Sequence, residues 1–226
     1  MKLENKLWIN KWSKEKYKPI SETYNCSKYG TDGEPGASIC MSSFARTMGK
    51  NFKEEIKLLD YGCGAARFCN FMSRRLKDFT YYGLEPNSEF GRDSIETAKK
   101  FFGHDSRINL GFIGSELEQE AIEKVDTVLL LSIFTHTTIE ETNEILTKLL
   151  PIIQRGDKIV FSVLIAEKYD LFQGKAYTME NSYMTVRNTI QQIKEIQQKF
   201  NCKLKVKDTF SAQGGINVHQ IYEMVK

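Results

Sequence analysis

Short apolar runs alternate with amphipathic stretches along residues 51–226. The run over 56–61 ends in an acid and a tyrosine, and its apolar character predicts a strand buried on both faces, as in a parallel sheet. A helical period follows over 66–76, with Phe68, Phe71, Met72 and Leu76 on one face. The pattern then repeats. Strands are predicted over 79–84, 107–113, 126–133 and 157–166. Between them come a helix from about Ser88 with Phe90, Ile95, Ala98 and Phe101 as its apolar positions, a short helical stretch, and a helix from Thr138 that stops around Pro151. Thr138 with Glu141 has capping-box spacing.

The segment over 167–182 has no apolar period and reads as a long loop. A helix carrying Val186, Ile190, Ile193, Ile196 and Phe200 comes next, and strands over 203–210 and 219–225 close the chain. The link over 211–215 is too short for a parallel crossover, which needs about a dozen residues. The last strand is therefore expected to insert antiparallel. Strands alternating with helices predict an α/β domain over 51–226 with a mostly parallel sheet covered on both faces.

Residues 1–50 break this rhythm. Trp8, Trp12, Tyr17, Tyr24 and Tyr29 stand among charges, then comes a turn-rich stretch, then a predicted helix over 37–50. We expect this segment to form a small helical cap. A cap and the loop over 167–182 would both close over the strand ends, since long loops in compact domains commonly bind or cover ligands.

Composition narrows the classes. A net charge of +3, with lysines and arginines dispersed among acids, gives no basic stripe for nucleic acid. The first residues are charged and lack the apolar core of a signal peptide. The longest apolar run, near 125–134, is too short to span a bilayer. Five cysteines without paired spacing point to reduced thiols, hence to a cytoplasmic protein with neither a disulfide framework nor a zinc site.

The chemistry concentrates at the first strand end. Asp60-Tyr61-Gly62-Cys63-Gly64 joins a strand to a helix start. The two glycines permit a tight turn and close backbone approach to a ligand, and the helix end presents free N–H groups. Glu85 ends the second strand, 25 residues after Asp60, where a carboxylate can accept both hydroxyls of a ribose. Two adjacent strand ends thus define a nucleoside site. A dinucleotide fingerprint requires a third small residue, and Arg67 occupies that position.

These stretches resemble the class I S-adenosylmethionine-dependent methyltransferases. Leu58-Leu59-Asp60-Tyr61-Gly62-Cys63-Gly64 is similar to the family's first motif and Tyr82-Gly83-Leu84-Glu85 to its ribose-binding motif. Ser132-Ile133-Phe134-Thr135-His136 is similar to the fourth-strand motif of the small-molecule branch, and 219–225 to the antiparallel last strand. The resemblance implies a Rossmann-like seven-stranded sheet of order 3-2-1-4-5-7-6, S-adenosylmethionine as donor and S-adenosylhomocysteine as product. Asp60 would organise the methionine amino group, Gly62, Cys63, Gly64 and Arg67 would border the methionine moiety, and Glu85 with Pro86 would hold the ribose. Ser115 or Glu116 would flank adenine, in place of the family's usual aspartate, and Ser132 would offer its backbone to the amino group.

The acceptor is less defined. His136 is the candidate base, and Phe134, His136, Tyr177 and Tyr183 are candidate substrate-lining residues, with Tyr177 a second catalytic candidate. The place where the family's magnesium-dependent branch keeps acids holds Phe134-Thr135-His136, so a metal-independent enzyme is expected. The reading is O-methylation of a small molecule such as a sugar- or nucleotide-linked metabolite by a monomer or homodimer. Two alternatives stand beside it: a nitrogen or macromolecular acceptor, and a non-catalytic module that only binds the donor.

Overall fold

The computed structural model describes residues 55–73, 76–167, 170–175, 182–212 and 217–226. The expected cap over 1–50 lies outside the described residues. Within them, β1 (Ile56–Tyr61), α1 (Arg67–Ser73), β2 (Phe79–Glu85), α2 (Glu89–Phe102), β3 (Ile108–Phe112), α3 (Glu116–Lys124), β4 (Thr127–Leu130), α4 (Ile139–Gln154) and β5 (Lys158–Ile165) alternate as the pattern requires. There follow β6 (Asp170–Lys175), β7 (Ser182–Asn188), α5 (Ile190–Lys199), β8 (Lys203–Ala212) and β9 (Asn217–Val225).

The main path of the sheet runs β3-β2-β1-β4-β5-β9-β8, parallel from β3 to β5. β9 lies antiparallel between β5 and β8. This is the expected seven-strand order with its antiparallel last strand. Each face has its own core. Leu59, Tyr61, Val128, Leu130 and Phe161 pack under α3, α4 and α5, whereas Leu58, Tyr81, Leu129 and Val160 pack with Phe68, Met72, Ile95 and Ala98 of α1 and α2. Both faces are apolar because both are covered, which is why the strand runs do not alternate.

Three expectations need correction. The segment after β5 is a β-hairpin, not a structureless loop: β6 pairs antiparallel with β7. β4 accompanies β5 only as far as Phe161, and β9 occupies the other edge of β5, so β7 takes the vacated edge at Leu164 and Ile165. Val186 therefore belongs to a strand, and α5 starts at Ile190, capped by Thr189 and Gln192 in a capping box. Finally, α4 does not stop at Pro151. Proline removes one N–H near the helix end, but the helix runs on to Gln154 and closes with Gly156 at φ 94. Gly156 N–H donates to Ile153 O and Asp157 N–H to Ile152 O, the double bond of a Schellman end.

Candidate functional site

β1 ends at Asp60 and Tyr61, and the chain turns through Gly62 at φ 81, Gly64 at φ 56 and Ala66 at φ 58 before α1 begins. Gly62 and Cys63 N–H both donate to Leu84 O, which ties the turn to the end of β2. A Cβ on Gly62 would meet Ile133 Cδ1 at 2.2 Å, whereas one on Gly64 would meet nothing within 4 Å among the described residues. Gly62 thus packs against the segment after β4. Gly62→Ala adds that collision to left-handed strain of about 1–2 kcal/mol. We expect calorimetry to show unfolding roughly 5 °C lower.

Two carboxylates meet beside this turn. Asp60 pairs with Gly83 across β1 and β2, and Glu85 is two residues further along β2. Alternation from Leu58 and Tyr81 puts both acids on one face. Asp60 is 3% exposed and Glu85 6%. Tyr81 hydroxyl donates to Asp60 Oδ2 at 2.6 Å, and Gly64 N–H donates to Glu85 Oε1. Burial carries the Asp60 carboxyl up to about 7, against the lowering effect of Tyr81. Burial likewise carries Glu85 up to about 8; the Gly64 N–H lowers it and the charge of Asp60 raises it. Among the described residues no cation is paired with either acid. Two buried acids with no counter-charge among the described residues leave room for a cationic ligand.

Most of the other predicted residues follow the carboxyl ends of strands in the chain. Cys63 is buried beside the two acids, and burial, then the charges of Glu85 and Asp60, push its thiol well above its ordinary range. Pro86 is buried and Arg67 exposed at the start of α1. After β3, Gly114 turns at φ 90 and its N–H donates to Glu118 Oε2 at 2.7 Å. Ser115 hydroxyl donates to Phe112 O at 2.6 Å, and Glu116 is exposed. Glu118 itself is buried and gripped by Lys148 Nζ at 2.8 Å.

After β4, Ser132 adopts φ 59, rare for a side-chain-bearing residue. Its N–H donates to the wholly buried Ser162 Oγ at 3.0 Å, and its carbonyl accepts from Thr135 Oγ1 at 2.8 Å. His136 follows, half-buried, its N–H donating to Ile133 O. Val186 N–H donates to Thr135 O, so the β6–β7 hairpin is fastened to this same turn. Phe134 is wholly buried with its ring 5.1 Å from that of Phe161, so its side chain belongs to the core. Tyr183 lies on β7 opposite Gly174, and Tyr177 lies outside the described residues.

Sequence reasoning did not single out Tyr81, Ser162 or Glu118, which hold Asp60, Ser132 and the Gly114 turn. Only Tyr81 left a local signal: it stands two residues before Gly83 in the ribose-binding motif.

The sheet order, the glycine turn and the acid at the end of β2 define a domain with the class I methyltransferase fold. No protein-family model matches the chain. It is 25% identical over 161 residues to an uncharacterized methyltransferase of Bacillus cereus, covering 71% of this chain and 69% of the relative. It is 26% identical, over the same shares, to an uncharacterized methyltransferase of Bacillus anthracis. Among solved structures it is similar to magnesium protoporphyrin IX methyltransferase (ChlM) from Synechocystis with bound S-adenosylmethionine, at 14% identity and a TM-score of 0.58, over 94% of this chain and 93% of that one. It is also similar to the glycopeptide N-methyltransferase MtfA, at 10% identity and a TM-score of 0.57, over 86% and 99%. The likeness to these structures is one of fold. Together with the relatives it bears out the class I S-adenosylmethionine-dependent methyltransferase expected from the motifs.

Proposed function

We propose that this chain is a metal-independent methyltransferase that moves a methyl group from S-adenosylmethionine to an oxygen of a small molecule. The observation that carries the donor assignment is the pair Asp60 and Glu85, buried at adjacent strand ends with no paired cation among the described residues. S-adenosylmethionine supplies an activated methyl group on a cationic sulfonium, together with an ammonium group and a ribose diol. Glu85 would accept from the ribose hydroxyls and Asp60 from the ammonium. Gly64, whose Cβ position meets nothing among the described residues, would let the backbone approach the methionine chain, bordered by Cys63 and Arg67. Pro86 would lie beside the ribose with Glu85, Ser115 or Glu116 would flank the adenine, and the Ser132 turn would meet the amino group.

Methyl transfer needs alignment above all. The acceptor oxygen attacks the methyl carbon, the carbon–sulfur bond breaks with its electron pair to sulfur, and the hydroxyl proton leaves for a base. His136 follows the β4 turn, and its imidazole can take that proton near neutral pH. Phe134-Thr135-His136 carries no acid for a magnesium ion, which supports the metal-independent reading. The β6–β7 hairpin, with Tyr183, is fastened beside His136 and would form one wall of the acceptor pocket; residues 1–50, with the 167–182 segment including Tyr177, would close it. No helix among the described residues is long and apolar enough to cross a membrane.

The test is to supply S-adenosylmethionine and a pool of cellular metabolites and to follow S-adenosylhomocysteine. Its accumulation identifies an enzyme, and its absence despite donor binding identifies a non-catalytic binding module. The methylated product then tells oxygen from nitrogen. His136→Ala is expected to lower kcat about 100-fold with donor affinity unchanged. Full turnover in that variant would remove His136 as the base.

A further inference from the structure

Tyr81 is wholly buried and its hydroxyl donates to Asp60 Oδ2 at 2.6 Å. The two residues are not direct partners in the sheet. Tyr81 pairs with Leu58, and Asp60 pairs with Gly83. To reach the carboxylate, the phenol must pass along β2 across position 83. A Cβ built there would stand 2.8 Å from Tyr81 Cε1, 2.8 Å from Leu110 Cδ2 and 3.1 Å from Cys63 Sγ. Any side chain at 83 would therefore displace the ring. Glycine at 83 and tyrosine at 81 act as one device: the first vacates the space that the second fills.

We propose that Tyr81, admitted by Gly83, is a positioning residue that ties down one oxygen of Asp60 and leaves the other for the ammonium group of the methyl donor. This rests on the S-adenosylmethionine reading of the site. A buried carboxylate with no hydrogen-bond partner would be free to rotate about its terminal torsion, which is broad. The phenol removes that freedom. As a hydrogen bond to a charged acceptor, it also favours the ionised form of Asp60, the form that an ammonium needs. The titratable groups near this pair, among the described residues, are Glu85 on β2, Cys63 in the glycine turn and Cys69 on α1. None of them is a cation that could replace the phenol.

The experiment is a calorimetric titration of the full chain with S-adenosylmethionine between pH 6 and pH 9, for wild type, Tyr81→Phe and Gly83→Ala. Thermal unfolding is recorded without donor. Tyr81→Phe keeps the ring and loses the donated bond. It is expected to bind about tenfold more weakly. The pH at which binding reaches half its maximum should move upward, because the lost bond was lowering the Asp60 titration. Gly83→Ala, by pushing the ring aside, should weaken binding in the same direction. In an Asp60→Asn background, Tyr81→Phe should add nothing, as two changes to one interaction are not additive. Wild-type affinity and an unmoved pH midpoint in Tyr81→Phe would overturn the proposal, whether or not the unfolding temperature changes. So would an undiminished effect of Tyr81→Phe in the Asp60→Asn background. Failure of the wild type to bind donor at any pH would instead overturn the methyltransferase reading on which the proposal stands.

Discussion

Glu85→Gln is expected to abolish the stabilisation that S-adenosylmethionine gives this protein. Glu85 already accepts from Gly64 N–H, and its remaining acceptor positions are the ones offered to the ribose. Glutamine keeps the shape and one carbonyl oxygen but turns an NH2 donor toward hydroxyls that need an acceptor. Losing two charge-assisted bonds at roughly 1.5–3 kcal/mol each weakens binding by about 100-fold or more. At donor concentrations near 100 times the wild-type Kd, the gain of about 2.7 kcal/mol falls below about 0.5 kcal/mol. The same change removes a buried charge, so without donor the variant should unfold at a higher temperature than wild type above pH 8. Scanning calorimetry with and without donor reads both effects. A variant that is merely misfolded would also ignore donor but would not show the raised unfolding temperature.

The second large effect is on pH. Asp60 and Glu85 titrate in the folded chain at about 7 and about 8, above their ordinary values of 3.8 and 4.5. Between these limits the folded protein holds protons that the unfolded chain has lost. Stability of the donor-free protein from these groups is therefore greatest below pH 4 and declines as pH rises through about 7 and about 8. The size is on the order of a few kcal/mol over that window. Donor binding runs the opposite way: a cation requires the carboxylates ionised, so affinity increases from pH 6 to pH 8.5 and binding releases protons. The donor-induced rise in unfolding temperature should grow over the same range. The proton release can be read directly from binding heats in buffers of different ionisation enthalpy. A flat profile in wild type, matched by Asp60→Asn, would rule out this coupling.

The donor side of the site was legible because its signals are local. Glycine, acid and strand end lie within Asp60 to Gly64, and Glu85 closes the next strand, so register alone brings them together. The antiparallel insertion of β9 was legible for a similar reason, since the short link after β8 left no other route. The hairpin was not. Ser182–Asn188 forms a strand only because β4 ends early and leaves an edge of β5 free, a tertiary circumstance that no window of sequence contains. Val186 also happens to continue the spacing of Ile190 and Ile193, so the helical period overran its true start. Thr189 with Gln192 carried the correcting signal. Likewise Pro151 was given more weight than Gly156, although a left-handed glycine stops a helix more firmly than a proline in its last turn. Tyr81, Ser162 and Glu118 were hidden for another reason. Tyr81 and Ser162 act by reaching a partner on a different element, which only the packed sheet shows, whereas Glu118 reaches back four residues to Gly114 and is held by Lys148 on α4.

The hairpin bears on the acceptor. Its Val186 N–H donates to Thr135 O, so the element expected to be a loop is tied by a hydrogen bond to the residue before His136 and to the sheet by strand pairing. The glycine turn after β1 and the hairpin thus both rest on the turn after β4, where Gly62 packs on Ile133 and Ser132 is held by Ser162.

The central claim is that the buried acids at the ends of β1 and β2 hold S-adenosylmethionine. Isothermal titration of the full chain with S-adenosylmethionine at pH 8.5 tests it most directly. Saturable one-site binding in the micromolar range, lost in Glu85→Gln, is the predicted result. No saturable heat up to the high micromolar range, or equal binding by wild type and Glu85→Gln, would contradict it.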